Sequence, residues 1–236
     1  MKWLAILFLP LFSLSQSNDT MHYTCNCKPL YTYLALGDSY TIGEGVLLTK
    51  NFPYQTVSLL RKEGYHFAGP EIIAKTGWTG DELESGINKH NLLAKYDYVS
   101  LLIGVNNQYR GRSIIEYKEQ LERLLKKSIE LANNKPENVF MISIPDYGYT
   151  PFGQALNAEK ISIEIDAYNA LNKALSIQYN VQYIEITKGS RMAKKNASLV
   201  TGDGLHPSAK EYARWAKKLV SAMRPVIKKQ KATTTP

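Results

Sequence analysis

Three residue types that together perform acyl transfer stand far apart in this chain. Ser39 closes the run Gly37-Asp38-Ser39 directly after the apolar stretch Tyr33-Leu34-Ala35-Leu36, while Asp203 and His206 sit three apart in Asp203-Gly204-Leu205-His206-Pro207. A serine hydroxyl is a weak nucleophile at neutral pH. It needs a base to take its proton during attack, and the base needs a carboxylate to fix its tautomer and orientation. On a turn entering a helix that starts after Pro207, one loop can present both side chains with the carboxylate reaching the imidazole. The other histidines, His22, His66 and His90, have no such neighbours. Neither the Asp/His spacing nor the two cysteines provides the three or four converging ligands of a zinc site, so this reading calls for no metal and no cofactor.

Groups so distant in sequence require a fold that gathers loops at one place. Short apolar runs alternate with longer stretches of helical period, the pattern of a parallel sheet covered by helices on both faces. The expected strands are Tyr31 to Leu36, Glu71 to Ala74, Tyr98 to Ile103, Val139 to Ile144 and Val181 to Ile186. The expected helices are Pro53 to Glu63, and Ser113 to Asn133, Glu159 to Tyr179 and Ser208 to Met223, the last three each carrying an apolar stripe. In such a sheet ligands collect beyond the carboxyl ends of the strands. Ser39 follows the first strand, Gly77 the second, Asn106 the third, Asp146 the fourth, and Asp203 with His206 the fifth.

The chain has 236 residues, enough to bury one sizeable core, and no stretch reads as an interdomain linker. The expected organisation is a secretory leader over 1–17, an N-terminal arm over 18–30, one catalytic domain over 31–226 and a basic, Thr-rich tail over 227–236. The leader reading rests on Lys2, an apolar run from Trp3 to Leu14 broken by Pro10, and the small residues Ser15-Gln16-Ser17. It implies a secreted or periplasmic protein. Cys25 and Cys27 alone cannot build a disulfide framework, so packing must hold the fold. From Lys210 onward eight Lys/Arg accompany one Glu, so this end carries nearly all of the net charge of +8. The periodicity places Lys210, Arg214, Lys217 and Lys218 on a solvated helix face, and Lys228-Lys229-Gln230-Lys231 could touch an anionic surface weakly. No basic patch interleaved with aromatics points to nucleic acid.

With these motifs in place, the chain resembles the GDSL or SGNH hydrolase family from Tyr33 to about Met223. The resemblance implies a three-layer α/β/α sandwich with a flavodoxin-like, five-stranded parallel sheet. Gly37-Asp38-Ser39 matches the first block, with Tyr40 where the family name has Leu, and by that likeness Ser39 attacks an ester carbonyl. Thr76-Gly77-Trp78-Thr79-Gly80-Asp81-Glu82-Leu83 resembles the second block, whose glycine offers a backbone N–H to the oxyanion. Gly77 is favoured, because Thr76-Gly77-x-Thr79 lines up with the family's Ser-Gly-x-Thr, and Gly80 is the reserve. Ile103-Gly104-Val105-Asn106-Asn107 resembles the third block, where the Asn106 amide would donate to the same oxyanion; Asn107 replaces the family's usual Asp. Asp203-Gly204-Leu205-His206 matches the last block.

Ser39, Gly77 and Asn106 would thus form the oxyanion hole. Asp38, Gln108, Tyr109, Arg110 and the stretch from Asp146 to Tyr149 are expected to line the substrate rim. The expected activity is that of a serine esterase acting on a small-molecule or glycan ester, with short acyl groups, acetyl foremost, on a polar or carbohydrate alcohol. That preference rests on the donor-rich stretch from Asn107 to Arg112 and on the lack of a long apolar lid insertion. Lysophospholipase or thioesterase action is the alternative within the class. A non-catalytic acyl-glycan binding module is the alternative outside it, and retention of Ser39, Asp203 and His206 weighs against that. The turn from Gly37 to Gly43 lacks the spacing and lysine of a nucleotide-binding P-loop.

Overall fold

A computed structural model describes residues 30–234. The leader expected over 1–17, the arm up to residue 29, and Cys25 with Cys27 lie outside the described residues. Chain order is β1 (Tyr33–Gly37), α1 (Ser39–Ile42), α2 (Phe52–Lys62), β2 (Glu71–Ala74), α3 (Gly80–Lys89), β3 (Tyr98–Leu102), α4 (Val105–Tyr109) and α5 (Ile114–Leu131). Then follow β4 (Val139–Ile142), α6 (Pro151–Gln154), α7 (Ala158–Gln178), β5 (Gln182–Ile184), α8 (Thr187–Ser190) and α9 (Ala209–Thr234). Among the described residues the five strands form one parallel sheet in the order β2-β1-β3-β4-β5. The fold is the α/β sandwich that the sequence implied.

The sheet reads as it does because its centre is covered on both faces. Every residue of β1, β3 and β4 is buried, so these strands are nearly continuous apolar runs, with Ser100 of β3 satisfied by the Tyr33 hydroxyl, whereas edge strand β5 begins at exposed Gln182. Helix α2 packs on α9, while α3 packs on α5 and α5 on α7. In α9 the side chains of Tyr212, Trp215, Leu219, Met223 and Ile227 are all buried at three- and four-residue spacing, one apolar stripe facing the core.

Strand ends differ from expectation where burial is achieved without pairing. Val181 belongs to the turn that closes α7, its N–H donating to Ser176 O at 2.9 Å, and Ile186 N–H donates to Ser143 Oγ at 2.8 Å. Both are apolar and buried, yet neither lies in β5. Helix α9 likewise runs past Met223 and past residue 226, where the domain was expected to end. Ile227 is fully buried, Gln230 joins Tyr98 and Asn138 by hydrogen bonds, and the ring of Pro225 sits on the solvent side of the helix. The start of the expected tail is therefore part of the packed domain. Among the described residues no helix is long and apolar enough to cross a membrane.

Candidate active site

The first turn after β1 is built around a close approach. A Cβ on Gly37 would collide with the Thr41 hydroxyl and the Leu102 carbonyl, so only glycine lets α1 fold back directly onto the strand end. Asp38 caps that helix, its Oδ1 accepting from Tyr40 N–H at 3.0 Å. Ser39 is thereby held at the helix start. Its Oγ lies 3.0 Å from His206 Nε2, and His206 Nδ1 lies 2.7 Å from Asp203 Oδ2.

The loop carrying the imidazole is organised by the same carboxylate. Asp203 Oδ1 accepts from Leu205 N–H at 2.8 Å, His206 N–H at 3.0 Å and the Thr201 hydroxyl at 2.7 Å. Burial alone would raise its pKa, but these bonds and the one from the imidazole hold the carboxyl far below the usual range. Asp203 is therefore an anion whenever His206 needs it.

Asp38 is the opposite case. It is 1% exposed, and its Oδ2 has no partner among the described residues. Burial pushes its carboxyl up to about 7, against the bond from Tyr40.

Two residues of the expected oxyanion hole, Gly77 and Asn106, line the cavity at Ser39. Gly77 has φ of +82°, which a glycine adopts without strain, and lines the cavity at Ser39. Gly80 N–H instead donates to Asn107 Oδ1 at 3.0 Å in the buried start of α3, so Gly80, the reserve, is committed elsewhere. Asn106 donates one amide hydrogen to Trp78 O at 3.0 Å, and its side chain lines the same cavity. Asn107, fully buried, also donates to Gln120 Oε1 at 2.8 Å. Its amide both accepts from α3 and donates to α5, two tasks that a carboxylate could not share.

The expected rim divides. Tyr109 lines the cavity and is 57% exposed, whereas Asp38, Gln108, Arg110 and Asp146 do not line it. Gln108 is buried between Glu164 Oε2 at 2.7 Å and the Tyr147 hydroxyl at 2.9 Å. Arg110 ties down the second block, donating to Gly77 O at 2.6 Å and Glu82 Oε1 at 3.1 Å. Asp146 pairs with Arg191 Nε at 2.9 Å and accepts from Gly148 N–H. Arg112 likewise turns to Asp81 and Glu116. The donors expected to meet a polar substrate are spent on positioning loops.

What faces Ser39 is a cavity of about 200 Å³ with largely apolar walls, among them Tyr40, Val105, Tyr109, Tyr147, Phe152 and Leu205. Tyr40, Val105 and Leu205 each adjoin a motif residue, and that adjacency was the signal available for them. Phe152 had none: it arrives because its N–H donates to Gly204 O at 2.9 Å, tying α6 to the histidine loop. Among the described residues no cluster of three or more His, Cys, Asp or Glu could hold a metal ion.

A doubly wound α/β sheet with an Oγ–imidazole–carboxylate chain at the carboxyl ends of its strands defines a hydrolase of the SGNH fold. The model of the GDSL-like lipase/acylhydrolase family matches residues 35–214, and the chain belongs to that family. It is a carboxylic ester hydrolase. The chain is similar to the crystal structure of a lipase/acylhydrolase from Enterococcus faecalis, with 20% identity and a TM-score of 0.68 over 83% of this chain and 96% of that one. It is similar to the acetylxylan esterase Axe2 of Geobacillus stearothermophilus, with 17% identity and a TM-score of 0.66 over 81% and 93%. It is also similar to the psychrotrophic esterase EstA of a Pseudoalteromonas species, with 16% identity and a TM-score of 0.59 over 84% and 98%. At these identities the likenesses establish the fold. No curated protein matches the chain.

Proposed function

We propose that Ser39 is the nucleophile of an acyl-serine esterase, with His206 as general base and Asp203 as its orienting carboxylate. Ser39 Oγ attacks the ester carbonyl as its proton passes to His206 Nε2, and the carbonyl oxygen becomes an oxyanion beside the N–H groups of Ser39 and Gly77 and the Asn106 amide. The imidazolium returns that proton to the departing alcohol, leaving acyl-Ser39. Water then gives its proton to His206, attacks the acyl carbon, and the acid leaves as Ser39 recovers its hydrogen. The observation carrying this reading is the unbroken chain from Ser39 Oγ to His206 at 3.0 Å and on to Asp203 at 2.7 Å.

The acyl group is short. A cavity of about 150 Å³ holds a benzene-sized ligand, so about 200 Å³ takes a chain of a handful of carbons. The alcohol side is a polar or carbohydrate group at the open mouth, where half-exposed Tyr109 supplies a ring face. The likeness to an acetylxylan esterase supports that choice; the donor-rich stretch after Asn106 does not, since its side chains bind protein partners. Apolar aromatic walls favour a lipolytic second reading. Esters of p-nitrophenol from acetate to palmitate separate the two: a maximum at butyrate or shorter supports the first, a rise through decanoate the second. The short basic start and apolar run within 1–17, read as a leader, support export of the enzyme.

Ser39→Ala should lower ester turnover on the order of 10⁶-fold while leaving circular dichroism unchanged. Wild-type rates in the purified variant, or labelling of another residue by a fluorophosphonate, would overturn the assignment.

A further inference from the structure

The cavity at Ser39 is not the end of the open space. A second cavity of about 20 Å³ lies behind it, and Tyr40, Tyr147 and Leu205 line both. Apart from the Tyr40 hydroxyl, the polar groups bordering the second space are engaged. Asp146 is held by Arg191 and Gly148, Ser190 donates to Thr187 O, and Glu211 accepts from Trp215 and Arg214. Apolar Ala193, Leu199 and Val200 complete its lining. A space of this size and character adds nothing to the enzyme while the partition stands, yet would extend an apolar chain if it opened.

The three partition residues are not equivalent. Tyr147 is locked by its hydroxyl to Gln108 Oε1. The Tyr40 hydroxyl makes no hydrogen bond among the described residues, so packing alone sets the ring, edge-on to His206 at 5.7 Å and to Trp215 at 6.3 Å between centroids. Leu205 reaches the partition from the opposite loop, held by its own backbone bond to Asp203.

We propose that the wall formed by Tyr40 and Leu205 ends the acyl cavity and sets the longest acyl group this esterase takes. The inference rests on the acyl-Ser39 reading and names the residues that give that site its chain-length limit. A smaller residue at either position joins the two spaces, lengthening the site by one or two methylenes. Each methylene newly buried is worth about fourfold in kcat/KM.

The test is the position of the maximum in kcat/KM along the p-nitrophenyl ester series. Tyr40→Leu and Leu205→Ala are expected to move it one or two carbons longer, and Tyr40→Phe, which keeps the ring, to leave it in place. For the wild type, linear alkylboronic acids should inhibit better with length only up to the same limit. An unmoved maximum in a folded Tyr40→Leu or Leu205→Ala variant, a shift in Tyr40→Phe, or boronic-acid affinity that keeps climbing past the limit would overturn the proposal. Ser39→Ala run alongside separates the two readings. Residual wild-type turnover there sinks the catalytic assignment, whereas Ser39-dependent turnover with an unmoved maximum sinks only the wall.

Discussion

Two aspartates flank the catalytic groups, and the protein treats them in opposite ways. Asp203 is 42% exposed at its side chain yet is held firmly as an anion, because backbone N–H groups, a hydroxyl and the imidazole all donate to it. Asp38 adjoins the nucleophile and is 1% exposed, but receives one side-chain bond and leaves Oδ2 unpartnered, so its carboxyl is pushed up to about 7. Burial sets the cost of a charge, and the number of donors decides whether that cost is met. In the proposed mechanism Asp203 serves chemistry that needs a permanent anion. Asp38 serves the geometry of the turn, where one oxygen capping α1 suffices.

Replacing Asp203 with Asn breaks the comparison most severely. The amide fits the loop but supplies no charge and can hold the wrong imidazole tautomer, so kcat should fall on the order of 10⁴-fold with the fold intact. Steady-state kinetics beside circular dichroism checks this. A loss under tenfold would make the pair Ser39–His206 sufficient by itself.

Asp38→Asn sharpens it through stability. Because the folded pKa is raised above the unfolded value of about 3.9, the native state binds more protons between that value and about 7. Stability from this carboxyl is thus full below about 4 and is lost as pH rises through about 7. In Asp38→Asn that decline disappears, and the variant should gain on wild type by about 1–3 kcal/mol between pH 4.5 and pH 8. Urea midpoints across that range measure it, and parallel curves for the two proteins would refute the protonation reading.

A third carboxylate, placed by Asn107→Asp, tests the same rule at a second buried position. The site is fully buried; Gly80 N–H can still donate, but Gln120 Oε1 would face an oxygen instead of the amide. Such a group should behave like Asp38 rather than Asp203, costing about 1–3 kcal/mol at pH 8 and less at pH 5. Thermal midpoints at the two pH values test it; an equal or larger cost at pH 5 would contradict the analogy.

Ser39 was legible because its window follows an apolar run that announces a strand end, and Asp203 with His206 because they stand three apart on a turn before a helix, although α8 and two short helical turns separate them from β5. The strands were legible for the same reason, as continuous apolar runs require burial on both faces. Their ends were not, since Val181 and Ile186 are buried by a helix terminus and a serine hydroxyl, which composition does not distinguish from ladder pairing. That Gly80 N–H is taken by Asn107, which favours Gly77 for the proposed oxyanion hole, could not be read from the sequence.

The direction in which Gln108, Arg110 and Asp146 point was also beyond the sequence. A donor-rich loop looks the same whether it meets a substrate or braces its neighbours, and the partners Glu164, Gly77 and Arg191 lie 56, 33 and 45 residues away. Local patterning determined the strands, the turns and the candidate reacting groups, because these depend on neighbours along the chain. Tertiary structure alone decided which side chains wall the cavity, where it stops and which aspartate keeps its charge, because those depend on contacts between segments that only folding brings together.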